Sequence, residues 1–242
     1  MNIDTNELGQ PIGQLVEGWR VPPRPAHESM TGQYCRLEPL APDRHAAELF
    51  DAMALDRENR IWTYLPYGPF KSADEYQAWM HERCSGADPL FFVIVDLTSG
   101  KAVGAAAYMR IDPTAGSIEV GHLAYSPLLQ RTRAATEAMF LMMRNAFTLG
   151  YRRYEWKCNA LNAPSRSAAE RLGFTFEGTF RQALVVKGRN RDTAWYSIID
   201  SEWPAIHSAF ETWLAAANFD DNGRQLRRLA DLIARERSFL QR

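Results

Sequence analysis

Residues 126–173 read SPLLQRTRAATEAMFLMMRNAFTLGYRRYEWKCNALNAPSRSAAERLG, and this stretch decides the fold. A polar loop, Gln130-Arg131-Thr132-Arg133-Ala134-Ala135, runs straight into an amphipathic helix expected from about Ala134 to Leu149, closed by Gly150 at the C′ position. Arg153 to Cys158 reads as a strand. Because it is reached through a helix, it is expected to lie parallel to a neighbour in its sheet. A second helix opens at Asn162 and stops at Gly173. A loop feeding a helix N-terminus offers unpaired backbone N–H groups and the positive end of the helix dipole, both suited to phosphate. Arg131 and Arg133 add positive charge there, so the segment predicts a phosphorylated ligand.

Upstream, Cys35 to Leu40 suits a strand and Pro42 to Leu55 a helix with Ala46, Leu49, Phe50 and Met53 on one face. Ile61 to Phe70 is an aromatic, Pro-broken loop. Ser72 and Glu75 form a capping box for a helix to about Cys84, with Tyr76, Trp79 and Met80 inward. Leu90–Leu97, Ala102–Ile111 and Ser117–Tyr125 read as an antiparallel meander, separated by turns at Thr98–Lys101 and Asp112–Gly116. Downstream, Phe174–Val186 and Thr193–Asp200 form a hairpin around Lys187–Asp192. Two more helices are expected, at about Trp203–Ala217 and Gly223–Leu240.

Residues 1–30 hold Gly9, Pro11, Gly13, Gly18, Pro22, Pro23 and Pro25, a density of breakers that argues against helix or strand. Ile12, Leu15, Val16 and Trp19 are too apolar for a free linker, so an irregular arm packed on the domain is expected, with disorder in the first few residues. The division is thus an arm over 1–30, a mixed α/β (α+β) domain over 31–205 and a helical C-terminal extension over 206–242.

The bulk composition narrows the function. The 242 residues are 46% hydrophobic and 24% charged with a formal net charge of −1, so no overall basic field draws the chain to nucleic acid or membrane. Cys35, Cys84 and Cys158 are scattered, with no CxxC or Cys/His cluster to bind metal, and suggest a reducing, cytoplasmic setting. The opening MNIDTNELGQ does not read as a signal peptide, and no apolar run approaches the about 20 residues of a membrane span. The last helix has Leu226, Leu229, Ile233 and Leu240 on one side and six arginines between 224 and 242. With Asp231 and Glu236 interspersed, it is expected to pack on the domain or on a second copy in a homodimer.

The order of elements, with these residues, resembles the GNAT superfamily of acyl-CoA N-acyltransferases, and within it the branch that includes the ribosomal-protein N-terminal acetyltransferases. Gln130-x-x-Arg133-x-Ala135 stands where that family has Gln/Arg-x-x-Gly-x-Gly/Ala. Asn162-x-x-Ser165, followed by Ala168-Ala169-Glu170-Arg171-Leu172-Gly173-Phe174, matches its N-x-x-S…A-x-x-L-G-F. The late hairpin, ending in Asp192 to Asp200 and Glu202-Trp203, is the third point of likeness. The resemblance implies a mixed, mostly antiparallel central sheet with a parallel pair splayed at the acyl-CoA site and helices on both faces. It implies acetyl-CoA as donor and CoA as product. The pyrophosphate is expected on the loop Gln130, Arg131, Thr132, Arg133, Ala134, Ala135 and Thr136, chiefly on its N–H groups from Arg131 onward. The pantetheine is expected along His122, Leu123 and Ala124, within reach of Asn162. The thioester falls in the splay, with Ser165 as the acid near the leaving thiolate.

Arg133 stands where the family has glycine, which permits positive φ and close approach of backbone to phosphate. Two arrangements keep the site: the loop is already αR there, or the cofactor sits outward and Arg133 adds a charge-assisted contact. The rival is an eroded site in a catalytically weak acyl-CoA-binding or sensing protein.

The implied reaction is direct attack of a neutral primary amine, on a protein N-terminus or a small molecule, on the thioester. An α-amino group, with pKa about 8, asks less of a base than lysine at about 10.4. Asn162 and Ser165 also suit plain capping of their helix. In Ser117–Ser126, SIEVGHLAYS, period 2 puts Ile118, Val120 and His122 on one face and Glu119, Gly121 and Leu123 on the other. Glu119 reads either as a proton relay through water or as an ion-paired strand glutamate. His122 has the intrinsic pKa of a base, though a lone strand histidine is more often packed in a core. Trp62, Tyr64 and Tyr67 of the aromatic loop, with Trp195 across the hairpin, are the expected acceptor wall, and core packing is the competing reading. Arg189 and Arg191 read as solvated turn charges or as readers of an acidic acceptor.

Overall fold

The computed structural model describes residues 3–240, the side chain of Leu240 excepted. The arm begins with two paired two-residue strands, β1 (Asp4–Thr5) and β2 (Pro11–Ile12), where no strand was expected. The Asn6 side chain organises the turn between them, its Oδ1 accepting from the N–H of Leu8 and Gln10. Ile12, Leu15 and Val16 stay exposed. Further along, Arg24 reaches the Ile111 carbonyl at 3.2 Å and the His27 ring meets the Phe91 carbonyl at 2.7 Å.

The main sheet starts at β3 (Met30–Thr31) and β4 (Cys35–Pro39). Helices α1 (Pro42–Ala54) and α2 (Ala73–Arg83) follow; the second is capped by Ser72, whose Oγ accepts from Glu75 N–H as expected, while the Glu75 carboxylate reaches back to the N–H of Lys71 rather than that of Ser72. The meander is β5 (Leu90–Asp96), β6 (Ala102–Asp112) and β7 (Ser117–Tyr125). Then come α3 (Arg133–Thr148), β8 (Arg153–Asn159), α4 (Ala163–Arg171), β9 (Thr175–Val186), β10 (Arg189–Ile199), α5 (Trp203–Leu214) and α6 (Leu229–Leu240). The eight strands lie in the order β3-β4-β5-β6-β7-β8-β10-β9. Every neighbouring pair is antiparallel except β7 and β8, which run parallel as the intervening helix requires.

Helices cover both faces, and the alternation of β5 shows why. Phe91, Val93 and Val95 point into a core shared with Leu49 and Met53 of α1 and Tyr76 and Met80 of α2. Phe92 and Ile94 point the other way, into a core with Met139, Met142 and Met143 of α3 and Phe210 of α5. A strand buried on both sides reads as a continuous apolar run, which LFFVIV is. Each such large side chain contributes about 1.5–3 kcal/mol on burial.

Glu137 anchors α3 to the sheet edge. Its buried carboxylate accepts from the N–H groups of Gln33, Tyr34 and Cys35 at 2.7, 2.6 and 2.8 Å. A Cβ at Gly32 would collide with that carboxylate, which accounts for the glycine.

Two late elements differ from expectation. The hairpin loop is not six residues but two: Lys187 and Gly188, at φ 49° and 72°, make the left-handed turn that matches strand twist. Arg189 to Asp192 are therefore strand. Helix α6 starts at Leu229 rather than Gly223, because Phe219 pairs with Gln225 in a loop held by the Asn218 side chain. Leu226 is consequently exposed, while Leu229 and Ile233 are buried in the core with α5; the Leu240 side chain lies outside the described residues. Arg237 secures α6 by donating to the Gly173 carbonyl at 2.7 Å. None of the described helices is long and apolar enough to cross a membrane.

Candidate active site

The parallel ladder between β7 and β8 runs only from Ser117↔Arg153 to Val120↔Trp156. Beyond it the strands part, and a cleft of about 270 Å³ opens between them. The cause is a bulge: His122 sits at φ 52°, and the pairing of β7 with β6 slips between Gly121↔Ala107 and Ala124↔Ala105. The bulge also overturns the strict two-face reading of this strand. Glu119, His122 and Leu123 line the same cleft.

His122 is a packed imidazole in that wall. Its ring lies 5.6 Å from that of Tyr67 and 4.8 Å from that of Phe91, and Nδ1 is 3.3 Å from the Tyr67 oxygen. Burial, then the nearby Arg110 charge, pulls its pKa down to about 4, so the ring is neutral near pH 7.

Glu119 is ion-paired. A second bulge puts Arg110 at φ 46°, with the Asp88 carboxylate accepting from the N–H groups of Arg110 and Ile111 at 2.9 Å each. That geometry turns Arg110 Nη1 onto both Glu119 oxygens at 2.8 Å. Lys157 Nζ lies 2.9 Å from Glu119 Oε2 and 2.7 Å from Glu155 Oε2. Burial pushes the Glu119 carboxyl above its usual range, against the pull of Arg110 and Lys157. Non-glycine residues at positive φ are uncommon and carry strain, and two of them here shape one cleft.

At the start of α3, Thr132 is the N-cap: its Oγ1 accepts from Ala135 N–H at 3.1 Å and donates to the Leu129 carbonyl. The positive φ of this loop, 63°, falls at Arg131, and Arg133 is already helical, the first of the two arrangements open for it. Its guanidinium lies between two aromatic rings, 4.9 Å from the Tyr34 centroid and 4.3 Å from that of Phe219. The N–H groups of Arg131, Arg133 and Ala134 have no partner among the described residues. Three orphan donors around a helix start, on either side of the bonded Thr132 N–H, fit a pyrophosphate. Gln130 Nε2 donates to the Tyr125 carbonyl at 2.8 Å, bracing the end of β7. Ala134, Ala135 and Thr136 are buried, and Thr136 Oγ1 accepts from Arg171 at 3.2 Å.

Asn162 caps α4, accepting from Ser165 N–H at 3.2 Å. The Ser165 oxygen accepts from the Trp156 indole N–H at 3.0 Å, which leaves its own O–H available as a donor, and both Asn162 and Ser165 line the cleft. Tyr64 also lines it and donates to the Leu161 carbonyl at 3.2 Å, joining the aromatic loop to the approach of α4. Trp62 is core instead, 4% exposed and packed edge-on to Phe70 and Tyr76. Tyr67 backs His122 from behind the wall. Trp195 lies outside the lining, stacked on Phe180 at 4.4 Å with Lys157 Nζ 3.7 Å from its ring centroid.

Sequence reasoning passed over Arg110, Trp156, Lys157 and Lys187. The Lys187 ammonium donates to the carbonyls of Trp62, Tyr67 and Gly68 at 2.8, 3.1 and 2.9 Å, latching the hairpin onto the aromatic loop. Arg191, placed by the sequence in a turn, is a strand residue that lines the cleft. The Lys187-Gly188 pair at the end of the apolar run 183–186 carried the signal of a two-residue turn, and the polar run 189–192 after it obscured that signal. The alternating charges of Arg153, Glu155 and Lys157 carried that of an ion-paired strand face.

Residues 35–175 match the family described as acetyltransferase (GNAT) domain. The structure is similar to that of a GCN5-related N-acetyltransferase from Brucella melitensis: 48% identity over 90% of this chain and 100% of that one, TM-score 0.88. It is also similar to a probable GNAT-family acetyltransferase from Chromobacterium violaceum, at 44% identity over 81% and 98% of the two chains, TM-score 0.76. The microcin C7 self-immunity acetyltransferase MccE, whose structure contains acetyl-CoA and AMP, shares the fold: 21% identity over 69% and 93% of the two chains, TM-score 0.61. No curated protein matches the chain.

Proposed function

Since the chain belongs to the GNAT acetyltransferase family, we propose that it is an acetyl-CoA-dependent N-acetyltransferase acting on a primary amine. The observation that carries this reading is the convergence on one cleft of the parted β7 and β8 backbones with the Ser165 hydroxyl. Acetyl-CoA is the donor found with MccE, and it supplies an acetyl group activated as a thioester.

The N–H groups of Arg131, Arg133 and Ala134 hold the donor's pyrophosphate, with the dipole of α3 behind them. The backbone from His122 to Ala124, freed from β8 by the splay, and the Asn162 amide hold the pantetheine arm. Ser165 donates its O–H to the departing sulfur, and Trp156 keeps the hydroxyl aimed. The acceptor amine enters at the end walled by Ile61, Tyr64, Leu65, Leu184 and Val186. Glu119 is the anion of that end and stabilises the positive charge that the attacking nitrogen acquires. An α-amine of the chain-terminal kind is about one-tenth neutral at pH 7 and needs no strong base, while a more basic amine reacts from its smaller neutral fraction. We assign the reaction to the cytoplasm on the strength of three free cysteines.

Two measurements test this. Calorimetric titration with acetyl-CoA is expected to show one site of micromolar affinity, and a thiol-release assay over a panel of amines is expected to find turnover. Binding of acetyl-CoA with no thiol released by any amine would overturn the enzyme reading.

A further inference from the structure

Arg191 lines the cleft, as do Cys158, Asn159 and Leu184. Its Nε is fully buried and has no hydrogen-bond partner, and no carboxylate among the described residues lies within salt-bridge distance of its guanidinium. The other two cations of the lining are spoken for: Arg110 is held by Glu119, and Lys157 by Glu119 and Glu155. Glu119, the one carboxylate in the lining, is thus already shared by two cations. A partly buried guanidinium without a counter-charge is unfavourable unless a ligand completes it. Burial pulls the Arg191 pKa downward, the direction expected of such a group.

We infer that Arg191 is an anion subsite and that the acceptor is a small amine bearing a single carboxylate, of the amino-acid type. The inference rests on the acyltransfer reading above. The donor's own phosphates do not meet this need, because no residue of the loop 130–136 lines the cleft. One unpaired cation matches one negative charge, which favours a carboxylate over a dianionic phosphate, and a guanidinium takes a carboxylate in a two-bonded fork. Ser165 and Arg191 line the same cleft of about 270 Å³. The amine and the anion therefore belong to one small molecule rather than to a peptide N-terminus flanked by neutral residues.

The test compares paired amines that differ only in carboxylate against carboxamide, with thiol-release rates corrected for the neutral fraction of each amine. The carboxylate members are expected to have kcat/KM higher by about 10- to 100-fold. Arg191→Gln is expected to collapse that ratio toward one, chiefly through KM, and Arg191→Lys to keep part of it. Arg181→Gln, an exposed charge on β9, keeps the ratio. Equal rates for both members, or a preference for amides or peptide N-termini, overturns the subsite and leaves acyltransfer standing. If no amine releases thiol, calorimetry with CoA present decides: Arg191-dependent carboxylate binding keeps the subsite and overturns acyltransfer, and no binding overturns both.

Discussion

The Trp156 indole N–H donates to the Ser165 hydroxyl oxygen at 3.0 Å, across the junction of β8 and α4. The bond occupies one acceptor position of the hydroxyl and fixes where its oxygen sits, so a buried tryptophan positions the proposed proton donor. Trp156→Phe keeps the ring and removes the donor. It is expected to lower kcat about tenfold while KM for acetyl-CoA changes less than about threefold. Ser165→Ala is expected to lower kcat by about 10- to 100-fold, and adding Trp156→Phe to it to do little more. Additive losses in steady-state kinetics would show that Trp156 acts apart from Ser165.

Glu137 satisfies three backbone donors with one carboxylate. Glu137→Ala strands those N–H groups beneath α3, and an unsatisfied buried donor costs about 1–3 kcal/mol. Allowing for relaxation, a loss of about 3 kcal/mol is expected from urea denaturation, with Glu137→Gln losing less because one oxygen remains. A loss below about 0.5 kcal/mol for the alanine variant would contradict this anchoring role.

Arg133 is helical and clasped between Tyr34 and Phe219. Restoring the family's glycine at this position is therefore expected to weaken rather than improve the protein. Arg133→Gly removes two cation–π contacts and adds a flexible residue at the helix start, for a loss of about 1–2 kcal/mol. CoA affinity, measured by calorimetry, is expected to stay level or fall. A tenfold gain would revive the view that the arginine erodes the site.

His122 gives the fold a pH dependence with a definite sign. Its folded pKa, about 4, lies below the ordinary 6.5, so the unfolded chain binds the proton more readily. Its neutral form therefore supports the fold above pH 6.5, and that support is lost as pH falls from 6.5 toward 4, at up to about 1.4 kcal/mol per unit. The summed loss is about 2–3 kcal/mol. His122→Asn, which tolerates the positive φ of the bulge, is expected to flatten this part of the stability curve in urea melts at pH 7, 6, 5 and 4. An unchanged slope would assign the acid sensitivity to other groups.

Much of the architecture was legible because it rests on local rules. The capping box at Ser72 and Glu75, the doubly apolar run of β5, the glycine ends of α3 and α4, and the helix between β7 and β8 each depend on residues close in sequence. Together they determined a mixed sheet with one parallel pair and a phosphate-ready helix start. Ser165 and Asn162 were legible too, since a helix cap is a local motif.

The cleft itself was decided only in three dimensions. Period-2 alternation assigns Glu119 and His122 to opposite faces, but His122 adopts a left-handed conformation that breaks the alternation. Its strain is offset by contacts with Tyr67 and Phe91, which come from other parts of the chain. Arg110 bends for the same kind of reason, held by Asp88 from a separate loop. Lys187 accepts a positive φ because three carbonyls of the aromatic loop receive its ammonium, and the tight turn it makes carries Arg191 out of solvent and into the cleft. Sequence determined which elements form and in what order. The tertiary structure decided which charges face one another, because that depends on strained backbone positions stabilised by residues far away along the chain.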